Sequence, residues 1–486
     1  MKIPLDRHSP KPIYRQIHDR ISHLVQSGFL KPGDRLPSIR ALSDEISVNK
    51  LTVIEAYNLL EADGLIHARP GAGYFVSTAA IAPPPAESGF APSQEVVIPE
   101  QGRMSYFDIY LASTQARQEE GVINFSSGFP RPIELDDLQR IARRALKSVT
   151  KDLFHYDLPQ GQQILRKQIA QLLVQQGLEV SPDHLIITNG STQGLFLTAH
   201  HYVRPGDWVI VESPTYHGIL AILQNLGARI IGIPMTQNGM NLSLLEQYLQ
   251  SHRPRLIYTI STLHNPTGLT SSQSHRQQLL ALATEYDCPI LEDNAYEGLN
   301  FGAVPPPIKA MDESDRITYV GTFSKTLMPG LRVGYVVATG SDYSELLEQK
   351  LLYDLSAATV SQAIASEYLA SGHYRRHLSH LRQGNLQSRN AMLKVLEQHF
   401  PEEASWTIPN GGLFLWVMLP QDFPIDRVCH EAIAHKVLVT SGAIFFPSQQ
   451  GYPALRLNFS QTIKDIETGI AALGKLLKTH LNRSQL

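Results

Sequence analysis

The segment STAAIAPPPAESGFAPSQEVVIPE, residues 77 to 100, constrains this chain most. It has no sustained hydrophobic period and carries Pro83, Pro84 and Pro85 among Ala, Ser and Gly, so no regular element is expected to run through it. It reads as a partly extended interdomain linker, and the chain must fold as two unlike parts on either side of it. The parts differ in charge: to residue 76 there are ten Lys or Arg against eight Asp or Glu, and beyond it 32 against 37, within a formal net charge of -3. Any nucleic-acid contact must come from a local patch, and the front is the basic part. With 486 residues, 43% of them hydrophobic and 18% charged, the chain has material for a large core. That excludes a disordered chain and a lone small module.

Cys288 and Cys429 are too few for a disulfide framework and lack zinc or redox spacing, so packed thiols in a reducing compartment are expected. The opening MKIPLDRHSPKP holds no apolar leader core, and apolar runs such as Leu413 to Leu419 fall short of the roughly 18 residues of a membrane span. A cytoplasmic protein without membrane contact is expected. His200 and His201 are adjacent on a predicted helix, where neighbours diverge, so no metal site is expected.

The front reads as three helices and a hairpin. Ile13, Ile17, Ile21, Leu24 and Val25 recur at helical spacing up to Ser27, with Pro12 at the entry and Gly28 as the stop. After KPGDRLP, Ser38 can cap a short helix through Ile46, and Ser47 or Asn49 can start another that runs to Ala62. LIHAR and YFV flank Pro70-Gly71-Ala72-Gly73 as two short strands around a tight loop, a wing. In a helix-turn-helix the second helix enters the major groove by its N-terminal end. Ser38, Arg40, Asn49, Lys50, Leu51, Thr52 and Gly71 are therefore the candidate DNA-contacting residues, Arg40 for a phosphate and Gly71 for close backbone approach. Periodicity alone favours an ordinary three-helix module with a solvated polar face.

The string PIYRQIHDRISHLVQSGFLKPGDRLPSIRALSDEISVNKLTVIEAYNLLEADGLIHARPGAGYFV closely resembles the GntR-type winged helix over residues 11 to 76. One departure stands out. That family usually has Arg near the start of the recognition helix where this chain has Lys50, and Lys lacks the planar fork that reads guanine bidentately.

Beyond about residue 120, HLIIT, DWVIVE, RLIYTI, CPILED, ITYVGT and RVGYVVAT alternate with helix-like stretches, an α/β pattern with a mostly parallel sheet. Dinucleotide and phosphate-loop glycine motifs are absent. Lys325 in TFSKTLMPGLRVGY follows a strand, with Arg332 seven residues on, and a lysine partly desolvated beside another cation becomes nucleophilic enough to condense with an aldehyde. Asp293 in LEDNAYEGL can pair with a pyridinium nitrogen, and Tyr296 and Asn265 of HNPTG can reach a ring hydroxyl. Taken singly, Asp293 and Asn265 also fit a strand-end cap and a surface turn. NGSTQG places Ser191 and Thr192 at a helix N-terminus suited to a phosphate, with Thr322, Ser324 and Arg332 as further donors. Tyr216 in SPTYHG can stack on a planar ring or be a core tyrosine, and the adjacent His217 can line the pocket but is expected to face solvent. A phosphate cup, a stacking ring, a carboxylate, hydroxyl donors and a lysine together fit pyridoxal 5'-phosphate.

With YDLPQG, GSTQG, SPTYHG, HNPTG, EDNAYE, SKTLMPGLRVGY and RLNFS in order, the chain resembles the PLP-dependent fold type I aminotransferases from about residue 120 to 475. The resemblance implies a large domain with a smaller C-terminal α/β subdomain and a homodimer. It also implies that Tyr156 reaches the cofactor phosphate of the partner subunit and that Arg456 clamps an amino-acid carboxylate. A winged helix at 1–76, a linker at 77–119 and such a body at 120–486 together resemble the MocR subfamily of bacterial transcription regulators. That resemblance implies an operator in double-stranded DNA, read as a direct or inverted repeat, and an amino compound as effector. An active aminotransferase that keeps a DNA-binding front is the alternative.

Overall fold

The computed structural model describes residues 12–26, 30–31, 33–62, 65–69, 73–77, 96, 121–131, 135–148, 155–448 and 451–484. The chain divides into two compact units, Met1–Phe90 and Ala91–Leu486. Most of the expected linker lies outside the described residues, though Val96 packs on the core of the second unit.

In the first unit α1 (Ile13–Gln26), α2 (Ile39–Glu45) and α3 (Lys50–Ala62) precede the antiparallel strands β1 (Ile66–Arg69) and β2 (Gly73–Val76). Each helix turns its apolar stripe inward, and Ile17, Ile21, Val25, Leu42, Val53, Ala56, Tyr57 and Leu60 form one core with Ile66 and Val76. Ser38 Oγ accepts from Ala41 N–H at 3.1 Å and caps α2. Of the two possible starts for α3, Asn49 is the one used: its Oδ1 accepts from Leu51 N–H at 2.9 Å, whereas Ser47 sits at φ 51°. The Tyr57 hydroxyl donates to Pro37 O at 2.8 Å and ties α3 to the entry of α2. Arg35 bridges Phe75, which fastens the α1–α2 connection to the wing. Of the expected wing loop, Pro70, Gly71 and Ala72 lie outside the described residues, and Gly73 opens β2.

The second unit is built on an eight-stranded sheet. Its strands in chain order are β3 (Leu185–Asn189), β4 (Trp208–Ser213), β5 (Arg229–Thr236), β6 (Gly239–Met240), β7 (Leu256–Thr259), β8 (Ile290–Asp293), β9 (Ile317–Thr322) and β10 (Val333–Val337). They lie in the order β3-β10-β9-β8-β7-β4-β5-β6. The central neighbours are parallel, β10 runs antiparallel to both β9 and β3, and β6 runs antiparallel to β5. Both faces are covered, so the strands read as unbroken apolar runs. Leu185 and Ile187 enter one core cluster while Ile186 enters the opposite one. A smaller four-stranded sheet, built on Phe414–Met418 and Ala454–Asn458, packs with the C-terminal helix Ile463–Ser484 around a third cluster. Cys288 is buried and Cys429 half-buried, and burial pushes both thiols up to about 12.

The topology decides where a site can form. Ser213, Thr259, Asp293 and Thr322 end parallel strands on one edge of the sheet, and two antiparallel steps bring Asn189 and the start of β10 to that same edge. In open α/β sheets ligands bind outside the carboxyl ends of the strands.

Candidate active site

A cavity of about 490 Å³ opens at that edge, lined by Phe129, Ser191, Thr192, Tyr216, Asn265, Asp293, Tyr296, Ser324, Lys325 and Arg332 among others. Lys325 follows β9 through a tight turn and donates from Nζ to Gly128 O at 2.9 Å. The ring of Phe129 lies 4.1 Å from Nζ. Thr322 stands behind the wall, where its hydroxyl donates to Ser324 Oγ at 3.0 Å and accepts from Ser324 N–H at 3.1 Å, so it orients Ser324 and does not line the cavity.

The cup at the end of β3 depends on one glycine. Gly190, at φ 81°, precedes α4 (Ser191–Tyr202), and a Cβ there would meet Arg332 Nη2 at 2.3 Å. Arg332 donates to Asn189 O at 3.1 Å, which holds its guanidinium beside the first turn of α4. The free N–H groups of that turn, two hydroxyls and a guanidinium make an anion site.

Asp293 is 3% exposed and accepts from the Tyr258 hydroxyl at 2.8 Å through Oδ2. Its buried Oδ1 has no hydrogen-bond partner among the described residues. Burial pushes its pKa up to about 6, against the Tyr258 hydrogen bond and the charge of Lys325. Asn265 is 2% exposed, so HNPTG is no surface turn, and its Nδ2 donates to the Tyr296 hydroxyl at 3.4 Å. Burial raises the Tyr296 hydroxyl, which stays protonated.

Arg456, on the strand Ala454–Asn458 of the small sheet, is 4% exposed. It donates to Asn265 Oδ1 at 3.1 Å and to Ser126 O at 2.7 Å, between the rings of Phe414 and Phe445. No described carboxylate pairs with it, and burial lowers its pKa to about 10. A buried cation in that state is set up for an anion brought by a ligand.

Models of known families match both units: bacterial regulatory proteins of the gntR family over residues 13–76, and aminotransferase class I and II over residues 120–473. The chain belongs to the class I and II aminotransferase family and carries a gntR-type head. It is 32% identical over 473 residues to the uncharacterized HTH-type transcriptional regulator YdcR of Escherichia coli (strain K12), covering 96% of this chain and 99% of that one. Among solved structures, the multiple substrate aminotransferase of Thermococcus profundus superimposes with a TM-score of 0.72 at 31% identity, over 79% of this chain and 96% of that one. LysN, an alpha-aminoadipate aminotransferase of Thermus thermophilus complexed with N-(5'-phosphopyridoxyl)-L-leucine, gives 0.71 at 29% over 78% and 100%.

The cofactor implied for the aminotransferase body is pyridoxal 5'-phosphate, and the residues present fit it. The orphaned Asp293 Oδ1 needs a proton donor, which a pyridinium nitrogen supplies, and the cup at Gly190 needs an anion, which the phosphate supplies.

Of the expected cofactor residues, Ser191, Thr192, Tyr216, Asn265, Asp293, Tyr296, Ser324, Lys325 and Arg332 line one cavity. Tyr156 does not: it is 84% exposed. Tyr216 serves both readings, since it lines the cavity and packs on a core cluster. His217 is half-buried and does not face solvent freely, although it is not among the cavity-lining residues. It opens the helix His217–Asn225 with its ring 5.0 Å from Tyr216 and 5.4 Å from Phe445, and burial first, then Arg456 and Lys325, lower its pKa to about 3. Sequence reasoning missed Phe129, Tyr258, Phe414 and Phe445, and only Tyr258, in the strand next to Asp293, left a usable signal.

Proposed function

We propose that the chain is a pyridoxal phosphate-dependent transcription regulator: residues 1–76 bind an operator in double-stranded DNA, 77–119 link, and 120–486 sense an amino compound. The observation that carries this reading is a winged helix and a lysine-bearing pocket in one chain. When bound, the cofactor supplies an aldehyde that condenses with amino groups and a ring that withdraws electrons. The chain's residues do the rest. Lys325 offers the tethering amine, Asp293 the ring-nitrogen carboxylate, Ser191, Thr192, Ser324 and Arg332 the phosphate donors, and Tyr216 a stacking face. Thr322 keeps Ser324 in place, while Asn265 and Tyr296 serve a ring hydroxyl. Arg456, buried without a carboxylate among the described residues, takes the effector's carboxylate and so favours amino acids over simple amines.

The exposed Tyr156 suits a homodimer in which it completes the partner's phosphate site. Pairing also presents two heads to two half-sites. In each head Arg40 and Lys50 are exposed, Asn49 and Ser38 set the helix starts, and Thr52 is half-buried beside them. The effector acts only through its different affinity for two arrangements of the dimer, and a coupling of about 1–3 kcal/mol is typical. No described helix is long and apolar enough to cross a membrane, and operator binding places the protein in the cytoplasm. The test is a gel shift with DNA from beside its own gene, with and without pyridoxal phosphate. A sequence-specific shift that responds to the cofactor is expected, and no specific shift in either state would remove the reading.

A further inference from the structure

The recognition helix begins with an apolar side chain held out in water. Leu51 is 69% exposed, against 36% for Leu59, the other exposed large hydrophobic residue described in the head. The inward positions of α3 are Val53, Ala56, Tyr57 and Leu60, each fully buried. At 100° per residue Leu51 lies on the opposite side, together with the exposed Glu55 and Asn58. Its backbone is not loose, because the Asn49 cap accepts from Leu51 N–H itself, so the first turn presents this side chain in a fixed direction.

A solitary exposed leucine is ordinary on a protein surface. Its place here is not, since the outward face at the start of the second helix is the part of a helix-turn-helix that meets base edges. Of the major-groove edges, only thymine carries an apolar group, the C5 methyl. The rest of the turn points the same way. Lys50 is exposed but lacks the planar guanidinium fork that reads guanine best. Glu55, one turn on, is repelled by phosphates yet can accept from the amino group of a base, which suits a base-facing surface.

We propose that Leu51 reads the C5 methyl of a thymine in each operator half-site. The proposal rests on the DNA-binding reading above. Full-length holo-protein would select sites from a random pool of duplexes, and each thymine of the selected site would then be replaced by deoxyuridine, which removes only the methyl. Burying one such carbon against an apolar side chain is worth about fourfold in affinity. One thymine per half-site should show a loss of that size, and Leu51→Ala should bind the thymine and uracil duplexes equally while keeping its salt dependence. Leu51 is exposed, so the variant should fold. The leucine contact is overturned if no replacement changes affinity by twofold, or if Leu51→Ala keeps the uracil penalty, as it would were Leu51 a protein contact. If no duplex is selected over random DNA, the DNA-binding reading itself fails, and this inference with it.

Discussion

The two working surfaces of the molecule are built in opposite ways. In the body, Asp293, Asn265, Tyr296 and Arg456 are nearly inaccessible: Asn265 links Tyr296 to Arg456, Tyr258 holds Asp293, and burial displaces the proton affinities of Asp293, Tyr296 and Arg456. In the head, Arg40, Asn49, Lys50 and Leu51 are exposed, and the structure constrains them through two helix caps. A pocket that must hold a small cofactor fixes its groups before the ligand arrives, whereas a surface that meets a duplex can finish its contacts on binding. Substitutions in the body should therefore act all or none on one ligand, and substitutions in the head should act by degrees.

The most complete effect expected is at Lys325. Lys325→Ala, supplied with pyridoxal phosphate and checked for folding by circular dichroism, should show no visible absorbance from a tethered cofactor, and a surviving band would place the tether elsewhere. Arg456→Gln should raise the concentration of an amino acid needed to perturb the cofactor spectrum on the order of 100-fold, because a desolvated charge-assisted pair is lost. Methylamine, which has no carboxylate, should be unaffected, and an equal loss for it would mean that the pocket itself had collapsed.

Asp293 tests the electrostatics directly. Its pKa is raised from 3.8 to about 6, so the folded cofactor-free protein binds this proton more tightly than the unfolded chain does. The stability it contributes is full below about pH 4 and is lost as pH rises through about 6, on the order of 3 kcal/mol. Denaturant unfolding of cofactor-free protein across that window should show the decline, Asp293→Asn should flatten it, and unchanged slopes would contradict the burial argument. The same variant should weaken pyridoxal phosphate binding roughly tenfold.

In the head, Arg40→Ala should weaken binding to all duplexes by a similar small factor and reduce the salt slope by about 1, as read by fluorescence anisotropy in a salt series. A sequence-dependent loss would move Arg40 from the phosphates to a base edge. Asn49→Ala should be the mildest change, costing about 1 kcal/mol of stability through the lost cap. No change in the unfolding midpoint would show that the cap is dispensable.

Much of the body was legible because its chemistry demands particular groups at strand ends, and apolar runs locate strand ends well. Lys325, Asp293 and the cup at Gly190 each follow a readable strand, and the sheet then gathers them. What could not be read is what the third dimension adds. Arg456 meets Ser126, 330 residues earlier, and the rings of Phe414 and Phe445 flank it from segments without a motif. His217 was misread because its direction depends on how Tyr216 opens the next helix. The strand Arg229–Thr236, interrupted by Gly232 and Pro234, was not picked out, although β4 pairs with it along its length. In the head Ser47 and Asn49 are both chemically able to cap α3, and only the left-handed backbone at Ser47 leaves that role to Asn49.

Asp293 ends one strand of the large sheet and Lys325 follows another, whereas Arg456 rises from the small one. An amino acid seated at the cofactor with its acid group on Arg456 would therefore brace one lobe against the other. Amide exchange along Phe414–Met418 and Ala454–Asn458 should slow when such a molecule is present, so that a chemical signal first becomes stiffness between two plates.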